Sequence, residues 1–243
     1  MVGGGDPHDS SDGGGDRDES SDGERNRGES DDYRQARERM VEGLARREEF
    51  DASTLDALRA VPRHEFLPPS RRDRAYEDRP LPIGSDQTIS APHMVALMVD
   101  LLDLDPGERV LEIGTGCGYH AAVTAEVVGA ENVFSVEYHD SLAGSARERL
   151  ADLGYGDVSV RAGDGREGWA ERAPYDAAYL TCAARAFPDA VVEQVRPEGR
   201  LLAPLERGDR SGSQRLAFAR RRADGALERD THGRVRFVPM QED

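Results

Sequence analysis

Apolar positions Tyr33, Ala36, Met40, Val41 and Leu44 recur at helical spacing from residue 33 to about 47, which predicts an amphipathic helix. A second helix is expected from Ser53, where Ser53 and Asp56 read as a capping box, Leu55, Leu58 and Val61 form the apolar side, and Pro62 ends it. Residues 62–91 carry Pro62, Pro68, Pro69, Pro80, Pro82 and Gly84, so irregular backbone is expected, held down by Phe66, Leu67, Leu81 and Ile83. A loop of that length inside a folded domain is usually functional. From Pro92 a helix runs through Leu101. Short apolar strands then alternate with helices: strands at 109–113, 133–137, 158–162, 176–181 and 200–205, and helices at 118–128, 140–153 and 188–195. Two last strands, 214–221 and 234–239, are expected to pair antiparallel. This order predicts an α/β fold, a doubly wound and mostly parallel sheet of about seven strands with helices on both faces.

Composition changes the picture at the N-terminus. Residues 1–32 hold 11 Asp or Glu against 3 Arg, with only Met1 and Val2 as apolar side chains, which predicts a disordered acidic tail ahead of one domain spanning 33–243. Over the whole chain the formal charge is −16, and all 32 basic residues are Arg. Such a surface suits a salt-rich, halophilic cytoplasm, although GC-rich codon usage could also favour Arg. It disfavours phosphate neutralisation on nucleic acid. No apolar run reaches the roughly 18 residues of a membrane span, and the acidic start lacks signal-peptide features, so a cytoplasmic protein without a membrane partner is expected. Cys117 and Cys182 stand far apart with no metal-ligand spacing, which predicts two buried thiols, no disulfide and no metal site.

In a Rossmann-like sheet, ligands bind at the carboxyl ends of the strands, where the first strand-to-helix turn lies. Here that turn reads Glu112-Ile-Gly114-Thr115-Gly116-Cys117-Gly118. The dinucleotide fingerprint would need a glycine at 119, which is Tyr119, and Glu112 would sit badly beside a pyrophosphate. An NAD-dependent oxidoreductase is therefore disfavoured. The spacing E-x-G-x-G-x-G instead resembles the first motif of class I S-adenosylmethionine-dependent methyltransferases. Glu137 ends the next strand, where a carboxylate can accept from a ribose diol, and Asp164-Gly165 follows the third, where such enzymes contact adenine.

Further segments sharpen the likeness: Tyr76-Glu-Asp-Arg-Pro80-Leu-Pro-Ile-Gly84, Gln87-Thr-Ile-Ser-Ala-Pro-His93, Gly163-Asp-Gly165, Pro174-Tyr-Asp176 and Phe237-Val-Pro239. Together with the glycine turn they resemble the protein-L-isoaspartate O-methyltransferase family over roughly residues 53–243. The resemblance implies S-adenosyl-L-methionine as cofactor, S-adenosyl-L-homocysteine as product, and isoaspartyl proteins and peptides, in some relatives D-aspartyl ones, as acceptors. It implies that Ser90 is the active-site residue and that Gln87, Thr88 and Ile89 close over a cofactor held by Glu112, Gly114, Thr115, Gly116, Gly118, Glu137, Asp164 and Gly165. Pro82, Ile83, Thr181, Cys182 and Ala183 fall on the acceptor side. The chain departs from the family's pattern at Thr181-Cys-Ala-Ala-Arg185-Ala-Phe-Pro188 and Pro204-Leu-Glu-Arg207, both on that side.

The chemistry suits these residues. An acceptor carboxylate with a pKa near ~4 is already ionised at neutral pH, so no general base is required. A hydroxyl such as Ser90 can orient it, although ahead of Pro92 the same serine could simply cap a helix. His93 is expected to be packed or exposed rather than a base, and Trp169 and Tyr175 to fill core. A monomer is expected. A methyltransferase for another carboxylate or peptide acceptor, or a non-catalytic cofactor-binding regulator, are the alternatives.

Overall fold

The computed structural model of the chain describes Met1, residues 29–208 and residues 212–241. Most of the expected acidic tail lies outside these residues, but its far end does not. Asp31 and Asp32 already form the first turn of α1 (Asp31–Ala45), whose inner face buries Met40, Val41 and Leu44. Glu29, ahead of the helix, reaches Arg37 at 2.6 Å with both side chains about 95% buried (5% and 4% exposed). The folded part therefore starts before residue 33, because a buried charge pair anchors it.

Helix α2 (Ala52–Ala60) begins one residue earlier than expected, with Asp51 at the N-cap and no side-chain cap bond. The capping box from Ser53 does not form. Instead the Asp51 N–H donates to Asp100 Oδ1 at 2.7 Å, so a tertiary contact fixes this end. Residues 62–91 are more ordered than their prolines suggest. Two 3-10 turns, Arg63–Phe66 and Pro69–Arg74, lead into an antiparallel hairpin of β1 (Leu81–Gly84) and β2 (Gln87–Ile89). Ser85 and Asp86 take φ of 50° and 55°, the left-handed pair that a tight two-residue hairpin turn requires. Leu81 and Ile89 are 1% and 3% exposed, and each such burial contributes about 1.5–3 kcal/mol, which pins the hairpin to the core.

After α3 (Pro92–Leu102) come β3 (Val110–Ile113), α4 (Tyr119–Val128), β4 (Val133–Glu137), α5 (Asp140–Asp152), β5 (Ser159–Ala162), β6 (Tyr175–Leu180), α6 (Asp189–Gln194), β7 (Val195–Glu206), β8 (Gln214–Arg221) and β9 (Leu227–Val235). They form a seven-stranded sheet in the order β5-β4-β3-β6-β7-β8-β9. The first five of these pair in parallel, and the β7–β8 and β8–β9 pairings are antiparallel. Alternation in β3 sends Val110 to one core and Leu111 and Ile113 to the other, one on each face of the sheet. Strand order switches between β3 and β6, which run parallel, so the site belongs at their carboxyl ends.

The last strand is not 234–239. β9 occupies 227–235, where charged residues dominate (Glu228, Arg229, Asp230, Arg234) and most side chains are exposed. A polar edge strand shows little apolar alternation, and charge on an edge discourages further strand pairing. The apolar Phe237-Val-Pro segment instead leaves the sheet and turns toward the end of β6.

Candidate active site

The four residues of β3 are buried, and the chain leaves them through a turn that only glycine fits. Gly114 has φ +100°, and a Cβ there would stand 2.3 Å from Thr181 Oγ1. That close approach is used: Thr181 Oγ1 donates to the Gly114 carbonyl at 2.5 Å, tying the end of β6 to the turn. The Gly116 N–H donates to Glu137 Oε2 at 2.8 Å, and the His139 N–H donates to Glu137 Oε1 at 3.0 Å. Thr115 and Ser135 share a hydroxyl bond of 2.6 Å. The turn is thus fixed from β6 and β4 before any ligand arrives.

Over this turn lies a partly open cleft. The hairpin contributes Gln87, Thr88, Ile89 and Ser90 to its wall, and the strand ends contribute Gly114, Thr115, Gly116, Glu137, Gly165, Thr181 and Cys182. These eleven expected residues are brought together from five separate stretches of chain. Ser90 is not a helix cap, since Ala91 holds that position and Pro92 opens α3. Its hydroxyl makes no hydrogen bond among the described residues, whereas its carbonyl accepts from Arg63 Nη2 at 2.8 Å. Arg63 is fully buried, and its guanidinium also reaches the carbonyls of Ala75 and Arg79, so one side chain holds three turns of the loop in place.

Six expected residues lie outside the wall. Gly118 caps α4 in the left-handed region, with Leu150 where a Cβ would go. Pro82 is exposed on β1, and Ile83 packs behind it against the core, 3.4 Å from where a Gly116 Cβ would stand. Ala183 exchanges backbone bonds of 2.8 Å with Val238 and Met240, stapling the C-terminal segment beside the cleft. It lines an adjoining groove with Arg166 and Arg185 that shares Pro239 and Met240 with the cleft. Asp164 is occupied by Arg166, which donates to it from its backbone N–H at 2.8 Å and from its guanidinium at 2.7 Å, so its carboxylate does not face the cleft.

Glu112 is the clearest correction. It pairs in register with Ser135, one residue short of the floor made by Ile113 and Val136, and is 0% exposed. Its carboxyl accepts from the Ser135 and Tyr179 hydroxyls, the latter at 3.0 Å, and burial pushes its pKa up to about 8. It lies beneath the turn, outside the lining of the cleft. In the unfolded chain this group ionises near its ordinary value of 4.5, so between there and about 8 the folded state binds the extra proton. Stability contributed by this group is complete below the lower value and is lost as pH rises through the upper one. Glu112→Gln keeps an acceptor for one hydroxyl and an amide for the other without a charge to bury. We expect its Tm to overtake that of the wild type as pH rises, by roughly 5 °C or more at about pH 9. Parallel melting curves across that range would show that Glu112 is not held neutral.

Sequence reasoning missed Val95, Cys117, Tyr119, His120, Tyr138, His139 and the Val238–Gln241 segment, all of which line the cleft. Tyr138 and His139 follow Glu137 directly and could have been read from it. Val238 and Pro239 were in view but were placed in a strand. His93 lies elsewhere, with Nε2 2.8 Å from Glu48. Cys182 has a pKa raised to about 12, first by burial and then by Glu137, so its thiol stays neutral and unreactive.

The wall contains no Arg side chain, so a pyrophosphate would find no cation to offset Glu137. An adenosine bearing a cationic sulfonium fits better: Glu137 can serve a ribose diol, the glycine turn leaves room for close backbone approach, and buried polar atoms await partners at Tyr119 and His139. Among the described residues no cluster of three or more His, Cys, Asp or Glu could hold a metal.

A profile described as Protein-L-isoaspartate(D-aspartate) O-methyltransferase matches residues 35–243. The chain is 48% identical over 210 residues to Protein-L-isoaspartate O-methyltransferase 2 of Archaeoglobus fulgidus, covering 86% of this chain and 94% of that one. It is 49% identical to the Methylorubrum extorquens protein-L-isoaspartate O-methyltransferase, covering 85% and 88%. A solved protein-L-isoaspartate O-methyltransferase superposes with TM-score 0.78 at 31% identity, over 85% of this chain and 66% of that one. A Plasmodium falciparum protein of like description, solved in complex with S-adenosyl-L-homocysteine, shares the fold with TM-score 0.72 at 23% identity, over 85% and 99%.

Proposed function

Because the chain belongs to the protein-L-isoaspartate(D-aspartate) O-methyltransferase family, and so is an S-adenosylmethionine-dependent enzyme that esterifies isoaspartyl carboxylates, we propose that Ser90 positions the acceptor in the cleft described above. One observation carries this reading. Ser90, the glycine turn and Glu137 face a single space, and the Ser90 hydroxyl has no partner among the described residues.

S-adenosylmethionine supplies a methyl group activated by a sulfonium. The residues here then have two tasks. Glu137, Gly165 and the Gly114–Gly116 backbone hold the adenosine part, while Gln87, Thr88 and Ile89 cover it and exclude water. Ser90 would donate a hydrogen bond to one oxygen of the isoaspartyl carboxylate and so orient the other toward the methyl group that the bound cofactor would supply. No side chain has to remove a proton, because the acceptor is already an anion. The methyl ester later closes on the next backbone nitrogen, releasing methanol and leaving a succinimide whose hydrolysis returns some normal aspartate.

Thr181 and Cys182 meet the cleft where the methyl-bearing end would lie, and the adjoining groove at Ala183, Arg185 and Pro239 offers a path for the flanking peptide. We read the chain from the buried Glu29–Arg37 pair onward as the methyltransferase domain, with the residues up to 91 supplying its N-terminal helices and active-site loop. The direct test uses labelled cofactor and two peptides that differ only in aspartyl linkage. Transfer to the isoaspartyl peptide should exceed transfer to the normal one on the order of 100-fold. Equal rates would remove the repair assignment.

The charge supports a setting. With 48 acidic residues against 32 Arg, self-repulsion at the surface is relieved by salt, which fits a monomer in a halophilic cytoplasm. Raising KCl from about 0.1 M to about 2 M should raise both Tm and activity, since the Debye length falls below about 3 Å. A fall in both would refute the salt-adapted reading.

A further inference from the structure

One cleft side chain has no task in this account. His120 is the second residue of α4, only 6% exposed, and it lines the cleft. Its ring lies over that of Tyr179, with centroids 4.5 Å apart at 32°. Among the described residues neither Nδ1 nor Nε2 has a hydrogen-bond partner, and two buried unpaired nitrogens are costly unless a ligand completes them.

Its position says which part of a ligand it can reach. Gly165 follows β5 and Glu137 ends β4, so the adenine and ribose belong to that side of the sheet. Tyr179 is on β6, across β3 from them, which puts His120 at the opposite end of the cleft. Burial lowers its pKa to about 3, so the ring is neutral there, with one N–H donor and one bare nitrogen acceptor flanking the same carbon. The amino-acid end of the cofactor presents the complement, a carboxylate that accepts and an ammonium that donates.

We propose that His120 binds the amino-acid end of S-adenosylmethionine, one ring nitrogen donating to the carboxylate and the other accepting from the ammonium. In doing so it would fix the sulfonium opposite Ser90. The assignment rests on the methyltransferase reading, and its test can tell the two apart. Calorimetric titration compares S-adenosyl-L-homocysteine with 5′-methylthioadenosine, which lacks the amino-acid end, on the wild type, His120→Phe and His120→Gln. Phe keeps a ring on Tyr179 but no nitrogen, whereas Gln keeps a donor and an acceptor. His120→Phe should lose about tenfold in affinity for S-adenosyl-L-homocysteine and stay within about twofold for 5′-methylthioadenosine, and His120→Gln should recover most of the loss. Equal losses on both ligands would overturn the assignment by marking a packing role, and so would no loss on either. A wild-type protein that bound neither ligand would instead sink the methyltransferase reading, and the role of His120 with it.

Discussion

Ser90→Ala should lower kcat on the order of 100-fold while leaving the affinity for S-adenosyl-L-homocysteine within about twofold. The asymmetry follows from what Ser90 touches. Its carbonyl, which the substitution keeps, is tied to Arg63 at 2.8 Å, so the backbone of the hairpin stays where it is. Its hydroxyl bonds nothing among the described residues, so the folded protein loses little when it goes. We expect the stability change to stay within about 0.5 kcal/mol, the usual range for a side chain without internal partners. Only the complex with acceptor loses a contact, and that contact orients the attacking oxygen. Isothermal titration alongside initial rates would separate the two effects. An unchanged kcat would place the acceptor elsewhere.

Glu137→Ala should act on binding, weakening S-adenosyl-L-homocysteine by about 100-fold. The carboxylate has two jobs on one residue. It accepts the Gly116 and His139 N–H groups at 2.8 and 3.0 Å, which shapes the turn, and it faces the cleft at the end of β4 where a ribose diol would lie. A hydrogen bond to a charged group contributes about 1.5–3 kcal/mol, and each 1.4 kcal/mol is tenfold in affinity. Glu137→Gln retains one acceptor oxygen and should lose about tenfold. An alanine variant within threefold of the wild type would mean that the ribose is held by something else.

Much of the architecture was legible because it rests on apolar pattern. Strand β4 at Val133–Glu137 and strand β8 at Gln214–Arg221 fall at the expected residues, one as a buried run and the other with Leu216 and Ala217 buried on opposite faces. The hairpin at 81–89 was hidden by Pro80, Pro82 and Gly84, which usually mark coil, and its turn uses Ser85 and Asp86 in place of glycine or asparagine. Strand β9 was hidden by its charge. The glycine turn and Glu137 stood out by spacing as well as resemblance, whereas the Gln87–Ser90 segment stood out by resemblance alone.

What sequence could not supply was the direction in which a side chain faces. Glu112 sits beside the turn in sequence, but its place in register with Ser135 puts it beneath the floor. Asp164 is bonded by a neighbour two residues away, Arg166, a pairing that sequence alone did not show. Arg63 reads as one more surface arginine in a chain that has 32 basic residues, yet it is fully buried and anchors Ser90. His120 looks like an ordinary helix residue until both of its nitrogens are found without partners.

The central claim is geometric, and a crystal structure of the chain with S-adenosyl-L-homocysteine and an isoaspartyl peptide tests it most directly. The account predicts Ser90 Oγ within about 3 Å of one oxygen of the isoaspartyl carboxylate, with the ribose hydroxyls on Glu137 and the sulfur over the glycine turn. A complex in which the peptide carboxylate lay away from Ser90, or the nucleoside away from Glu137, would contradict it.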